Sequence, residues 1–290
     1  MGEFNQAWLA LRESADARAR AADLPLLLRP HLAAEDPLMV LDLGCGTGSN
    51  LRLLAPGLGG AQQWQCLDAD PELLAQVEIE TRSWACAAGY AWDEGHRVLT
   101  RPGTDLSCGI ETRRLDLAQS LEDLPVAGVG LLTASALLDL VSEEWLAGLV
   151  ARYAAARTPM LMVLTYDGRA EFEPPLSLDA HVIDLINVHQ RRDKGFGPAL
   201  GPAANACLAT LASAYGYRVE VRTSDWKIGR SDPALQTELI NGWCDAACEQ
   251  TPAIASEIRH WRDARLAAVA RGCSRIRVGH RDLLAIPRRS

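Results

Sequence analysis

The stretch Val40-Leu41-Asp42-Leu43-Gly44-Cys45-Gly46-Thr47-Gly48 sets an apolar run directly against three glycines at alternate positions. An apolar run of this length that stops at glycines reads as a buried strand turning sharply into a loop. Glycine is the residue that lets backbone turn tightly and lets a ligand approach to contact distance. Residues 49–54 start a helix behind the loop, closed by Pro56-Gly57. The spacing separates ligand classes. A dinucleotide fingerprint runs G-x-G-x-x-G, and here Ser49 takes its last place; the Lys and Ser/Thr of a phosphate-cradling P-loop are missing too. Asp42, just ahead of the glycines, suits a cationic ligand group better than a pyrophosphate.

Working outward, short β-branched or Leu-rich runs alternate with Ala-rich helical stretches, the pattern of a parallel sheet covered by helices. Residues 5–32 read as one or two helices, with Phe4, Trp8 and Leu11 at helical spacing. Residues 63–67 are the second strand. Asp70-Pro71-Glu72 starts the next helix, with Asp as N-cap and Pro at the first helical position. Residues 96–100 are one extra strand, 113–117 the end of the third main strand, 128–133 the fourth and 160–166 the fifth, with a helix at 143–156 between these last two. Beyond Tyr166 the pattern breaks: 167–175 reads as loop, 178–188 as helix, and 190–202 as a Gly/Pro-punctuated basic segment. A helix at 203–215 leads into a strand at 217–223. Residues 233–271 are largely helical with a break at Thr251-Pro252. A final strand at 274–278 and 282–286 is bulged at Gly279. The organisation is a helical lid at 1–36 and one α/β domain at 37–290, with helical insertions at about 167–202 and 230–272.

Composition excludes several classes. With 29 basic and 37 acidic residues the net charge is −8, which disfavours broad adhesion to nucleic acid or anionic membrane. No apolar run is long enough to cross a bilayer, and the N-terminus lacks the basic start and unbroken apolar stretch of an export signal, so a cytoplasmic location is expected. Of the eight cysteines, only Cys244 and Cys248 are close, at helical spacing and without a second pair, so no metal site is expected.

On Asp42-Leu-Gly44-Cys-Gly46-Thr-Gly48 the chain resembles the class I S-adenosylmethionine (SAM)-dependent methyltransferases, whose first motif is commonly E/D-x-G-x-G-x-G. The resemblance covers roughly residues 38–166. It implies a doubly wound, mostly parallel sheet of seven strands in the order 3-2-1-4-5-7-6, the last antiparallel, with SAM as cofactor. It places Asp42 and the three glycines at the aminoacyl end of SAM. Asp68, 26 residues after Asp42, falls on the ribose-binding acid, and Asp116-Leu117 on the position that receives the adenine amino group. It also sets Ser135 beside the cofactor and Asp139 towards the substrate. Asp139 reads equally well as an N-terminal helix residue.

Substrate chemistry is expected after the fifth strand. Tyr166 is at the strand end, His189 is a candidate general base, and Arg191, Arg192 and Lys194 are candidates to bind a substrate carboxylate or phosphate. Basic residues past a helix C-terminus are also favoured by its dipole alone. Trp8 packs or belongs to a lid; Trp226 and Trp243 belong to a pocket or to the core. The reading is methyl transfer to an O or N nucleophile of a small molecule, by a chain for which a homodimer stays open. The alternatives are another transfer on the same cofactor, such as aminopropyl transfer, a non-enzymatic SAM-binding protein, and a zinc-assisted thiol methyltransferase.

Overall fold

The computed structural model describes residues 5–32 and 36–288; Phe4 and part of the expected lid boundary lie outside them. The chain opens with α1 (Gln6–Ala19) and α2 (Leu24–Leu28), then β1 (Leu38–Leu43), α3 (Ser49–Leu58), β2 (Ala61–Asp68) and α4 (Pro71–Ala88). Next come β3 (Ala91–Asp93), β4 (Val98–Thr100), β5 (Ser107–Arg114), β6 (Leu131–Ser135), α5 (Glu143–Ala155) and β7 (Met160–Glu173). The remainder is α6 (Asp179–Gln190), α7 (Ala204–Ala214), β8 (Tyr217–Thr223), β9 (Trp226–Ile228), α8 (Pro233–Gln250), α9 (Ala255–Ala270) and β10 (Arg275–Pro287).

Local chemistry starts and stops these elements. Asp70 caps α4 by accepting from the backbone N–H of Glu72 and Leu73, and Gly89 ends it in the left-handed conformation. Ser142 caps α5 through the N–H of Trp145, with Glu143 and Glu144 in the first turn. Each such cap contributes about 1 kcal/mol.

The strands form one ten-stranded sheet ordered β3-β4-β5-β2-β1-β6-β7-β10-β8, with β9 added to β10. Among the described residues the expected order of seven runs through it as β5-β2-β1-β6-β7-β10-β8, with β10 antiparallel to both neighbours, and β3, β4 and β9 are additions to it. The additions have a physical reason. The β3–β4 hairpin pairs antiparallel with the otherwise open edge of β5, whose N–H and C=O groups would else stand unpaired. The third main strand is Ser107–Arg114, so residues 115–117 follow it instead of ending it. Residues 167–173, expected as loop, continue β7, because β10 runs antiparallel beside them and pairs Ile276 with Phe172 and Arg275 with Glu173. The register of β10 shifts between Val278 and His280, at the expected Gly279 bulge. A Cβ at Gly279 would lie 2.1 Å from Asp167 Oδ1 and 2.9 Å from Arg169 Cβ, so a side chain there would have to displace the Asp167 carboxylate from Arg169 and Arg281. The helix expected to close at Pro56-Gly57 instead reaches Leu58.

Alternation along the central strands covers both faces. Val40, Leu131, Leu161, Val163, Leu284 and Ile286 join α2, α3 and α4 in one core. Leu41, Leu132, Met160, Met162, Leu283 and Ala285 join α5 and α7 in the other. Side chains two apart share a face, so a strand apolar at every position has to be covered on both sides. A third core lies off the sheet proper. Tyr166, Phe172, Trp226 and Ile276, on β7, β9 and β10, pack with Val182, Ile186, Leu235, Ile240, Ile258 and Trp261 of α6, α8 and α9, and with Ala15 of α1. This helical cap is seated on the far ends of β7 and β10 and on β9.

Candidate functional site

The chain leaves β1 for β2 on one side, while β6 lies on the other. Ligands of open α/β sheets bind outside the carboxyl ends of the strands at such a switch point. The glycine loop sits here. Gly44, Gly46 and Gly48 have φ of +60°, +54° and +81°, the left-handed region that side chains disfavour.

Asp42, at the end of β1, is fully buried. Its Oδ1 accepts from Asn50 Nδ2 at 2.7 Å, while Oδ2 is buried without a partner. Burial pushes its pKa up to about 7, against the Asn50 hydrogen bond and the Arg20 charge, which favour the ionised form. Asn50 also accepts from Arg20 at 2.6 Å, and Arg20 donates to Ser135 Oγ at 3.0 Å. Arg20 thus ties the end of α1 to the first turn of α3 and the end of β6. The backbone N–H of Ala21 is held by Asp282 at 2.9 Å, whose other oxygen accepts from Leu164 N–H at 2.8 Å.

Asp68 lies at the end of β2 as expected, and it also holds the loop. One oxygen accepts from Gly46 N–H at 2.9 Å and the other from Asp70 N–H at 3.0 Å. Burial raises its pKa. Asp116 is exposed and accepts from Ala118 N–H at 3.0 Å. Leu117 is buried, its carbonyl taken by the Trp145 indole N–H at 2.7 Å.

A cavity of about 900 Å³ opens past the carboxyl end of β6 and beside the middle of β7, lined by Ala136, Asp139, Leu164 and Tyr166 there and by α1, α8, α9, β9 and β10 around. Ala136 and Leu164 are non-glycine residues with φ of +53° and +56°. Such strained backbone costs about 1–3 kcal/mol and clusters at functional sites. The glycine loop is not part of the cavity wall. Helix α1 stands between them: Trp8 lines the cavity, and Leu9 lies over the loop, its Cδ1 2.9 Å from where a Cβ on Gly46 would be.

Asp139 is buried in the cavity wall with Oδ1 unpartnered. Burial raises its pKa to about 6, opposed by the N–H groups of Asp139 and Tyr166 and by the charges of Arg12 and Lys194. The Tyr166 hydroxyl donates to Asn187 at 3.0 Å, and burial pushes its pKa up. His280, missed by sequence reasoning, is buried in the same wall. Its Nδ1 lies 3.1 Å from the Val278 carbonyl; a carbonyl only accepts, so Nδ1 carries the proton and Nε2 is left an acceptor. Burial and Arg12 lower its pKa to about 4, which keeps it neutral. Nothing in the sequence flags it, since it stands between the two halves of the expected final strand, beside Gly279 and Arg281.

His189 is buried on α6 outside the cavity wall, its Nε2 3.2 Å from Glu249; burial lowers its pKa. Arg192 is drawn to the same Glu249 at 2.9 Å. Arg191 is exposed and Lys194 half-buried, and none of the three basic residues lines the cavity. Trp226 and Trp243 do line it. Arg12 lies 5.1 Å over the Trp226 ring, and Asp16 holds both Arg12 and the Trp226 indole N–H. Among the described residues, no group of His, Cys, Asp and Glu is placed to hold a metal ion, and no helix is long and apolar enough to cross a membrane.

Glycine loop, buried acid and doubly covered sheet together define a Rossmann-like α/β protein with its glycine loop at the end of β1. No family model matches the chain, and no curated protein matches it. Among solved structures it is similar to a SAM-dependent methyltransferase from Geobacter sulfurreducens in complex with S-adenosyl-L-homocysteine, with 16% identity, 98% of this chain and 99% of that one covered, and a TM-score of 0.45. It is also similar to a SAM-dependent methyltransferase from Thiobacillus denitrificans, with 16% identity, 98% and 100% coverage and a TM-score of 0.43. A third is geranyl diphosphate C-methyltransferase from Streptomyces coelicolor A3(2), with 11% identity, 91% and 79% coverage and a TM-score of 0.42.

Proposed function

We propose that the chain is a SAM-dependent methyltransferase acting on an O or N nucleophile of a small molecule held in the cavity. The observation that carries the reading is Asp42. It is a buried carboxylate behind a G-x-G-x-G loop, with one oxygen still lacking a donor. That oxygen fits the ammonium of an amino-acid ligand, while Arg20, Asn50 and Ser135 supply the polar frame for a carboxylate. Asp68 retains lone pairs for a ribose diol, and Asp116-Leu117 is the expected adenine position. When bound, SAM supplies a methyl group on a positively charged sulfur. The protein's part is alignment of the acceptor and exclusion of water, with Asp139 in place to hold a proton that the acceptor gives up. Leu9 overlies Gly46, so α1 shifts on cofactor entry and then covers the site, the role of the N-terminal segment.

Calorimetric titration with SAM, S-adenosyl-L-homocysteine and NAD tests this. Saturable binding of the first two and none of NAD is expected. Tight NAD binding without SAM binding would overturn it.

A further inference from the structure

The cavity wall states which acceptors it admits. Its charged lining groups are Asp139, Glu238, Asp245 and Glu249 against Arg12 and Arg259, so acids outnumber bases by two. Arg12 is neutralised by Asp16, bonded at 3.0 and 3.3 Å, and Glu249 is engaged by Arg192 and His189. Arg259 is exposed, as are Glu238 and Asp245, and these three form the rim. In the buried part the charge without an ion-paired partner is Asp139, whose Oδ1 has no side-chain partner; the charges of Arg12 and Lys194 favour its ionised form without bonding it. The other buried polar groups of the wall, His280 Nε2 and the Tyr166 oxygen, also present lone pairs. Aromatic faces complete the wall, from Trp8, Trp226 and Trp243. Gly242, in the middle of α8, borders the cavity with nothing within 4 Å of where its Cβ would be. A glycine in a helix interior costs about 1 kcal/mol relative to alanine, and its effect here is to leave room.

We infer that the cavity takes a cationic amine with a flat apolar body, and that Asp139 is the carboxylate that binds its ammonium group. The inference rests on the methyltransferase reading and names the acceptor class of that site. Carboxylates attract ammonium groups, the indole side chains cover a flat apolar body, and an acceptor-rich wall is satisfied by a ligand that brings donors. An anionic acceptor would meet like charge at the rim and at Asp139, so the carboxylate- or phosphate-bearing acceptor expected from Arg191, Arg192 and Lys194 is disfavoured. An ammonium nitrogen has no free pair. One N–H proton therefore passes to Asp139 and leaves a neutral amine. The freed pair on nitrogen forms the N–C bond to the methyl group as the C–S bond breaks, its electrons staying on sulfur. The proton on Asp139 then returns to solvent.

Binding separates this inference from the reading beneath it. Tryptamine, tryptophol and indole-3-acetate share one ring and differ in carrying an ammonium, a hydroxyl or a carboxylate. Titrated calorimetrically at pH 7.5 into the full chain, with and without SAM, tryptamine is expected to bind at least tenfold more tightly than either of the others. Asp139→Asn should erase that preference while leaving SAM affinity unchanged. If the variant does not fold, the rim variant Glu238→Gln/Asp245→Asn, on the exposed face of α8, should reduce the preference at least threefold. Gly242→Leu should weaken all three ligands alike by filling the cavity. Equal or tighter binding of indole-3-acetate or tryptophol, or no saturable tryptamine binding while SAM binds, overturns the amine assignment and leaves the cofactor reading standing. Failure of SAM to bind, with tryptamine retained, breaks the cofactor reading and leaves the amine site.

Discussion

Helix α1 meets two differently built regions. At Leu9 and Arg20 it covers the glycine loop, where Asp42, Gly46 and Asn50 lie within nine consecutive residues of β1, the loop and α3. At Trp8 and Arg12 it closes the cavity, whose wall gathers single residues from α1, β6, β7, β9, α8, α9 and β10. The first region depends on backbone conformation, the second on side chains that meet only after folding. The two should therefore fail separately when each is disturbed, the first losing cofactor and the second losing acceptor.

The largest effect is expected at Gly46. Valine there would have to adopt φ near +54° and push against Leu9, so SAM affinity should fall more than 100-fold in calorimetric titration. A normal affinity would show that the loop does not contact the cofactor. Asp68→Ala comes next. It removes two loop hydrogen bonds and the ribose acceptor, and hydrogen bonds to charged groups contribute about 1.5–3 kcal/mol, so a loss of about tenfold to 100-fold in SAM affinity with a retained circular dichroism spectrum is expected. Unchanged affinity would remove the ribose role.

On the cavity side, Asp139→Asn should slow turnover about 100-fold and spare SAM binding. In the native enzyme turnover should rise with pH through about 6, where Asp139 ionises, and the variant should lack that limb. A wild-type rate that is flat between pH 5 and 7 would argue against the proton-holding role. His189→Ala tests the opposite. Its imidazole stands behind the wall against Glu249, so the loss of about 1 kcal/mol of stability with an unaltered pH–rate profile is expected; loss of turnover in the intact fold would restore it as the base.

The smallest effect concerns stability and pH. Asp42 and Asp139 are raised from 3.8 to about 7 and about 6, so the native state keeps protons that the unfolded chain releases. Their contribution is full below about pH 4 and is lost as pH rises towards 7. Asp42→Asn should therefore raise the melting temperature at pH 8 while weakening SAM binding. A lower melting temperature there would mean that the Asp42–Asn50–Arg20 contacts outweigh the burial of the charge.

Legibility followed the same division. The loop, the cap at Asp70 and the bulge at Gly279 were readable because each is a local demand of backbone on residue type. Residues 167–173 were misread because their polar alternation, Glu171-Phe172-Glu173, becomes a strand only beside β10, which arrives more than a hundred residues later. The β3–β4 hairpin and β9 were invisible or half-visible for a similar reason: three-residue strands carry too little periodicity. His189 drew attention through its residue type and basic neighbours, yet the packing of α6 against α8 turned it to Glu249. His280 was passed over between the two halves of the final strand, and it stands in the cavity wall just after the bulge.

By itself the sequence determined a two-faced sheet and a glycine loop behind a buried acid, because strand period and left-handed backbone are properties of neighbouring residues. Only the tertiary structure decided what α1 covers, which of many acids and aromatics share one cavity, and that Asp139 is left there without a partner. Those are contacts between residues far apart in the chain, and burial, which sets their charge and hydrogen-bonding needs, exists only once the chain has closed around them.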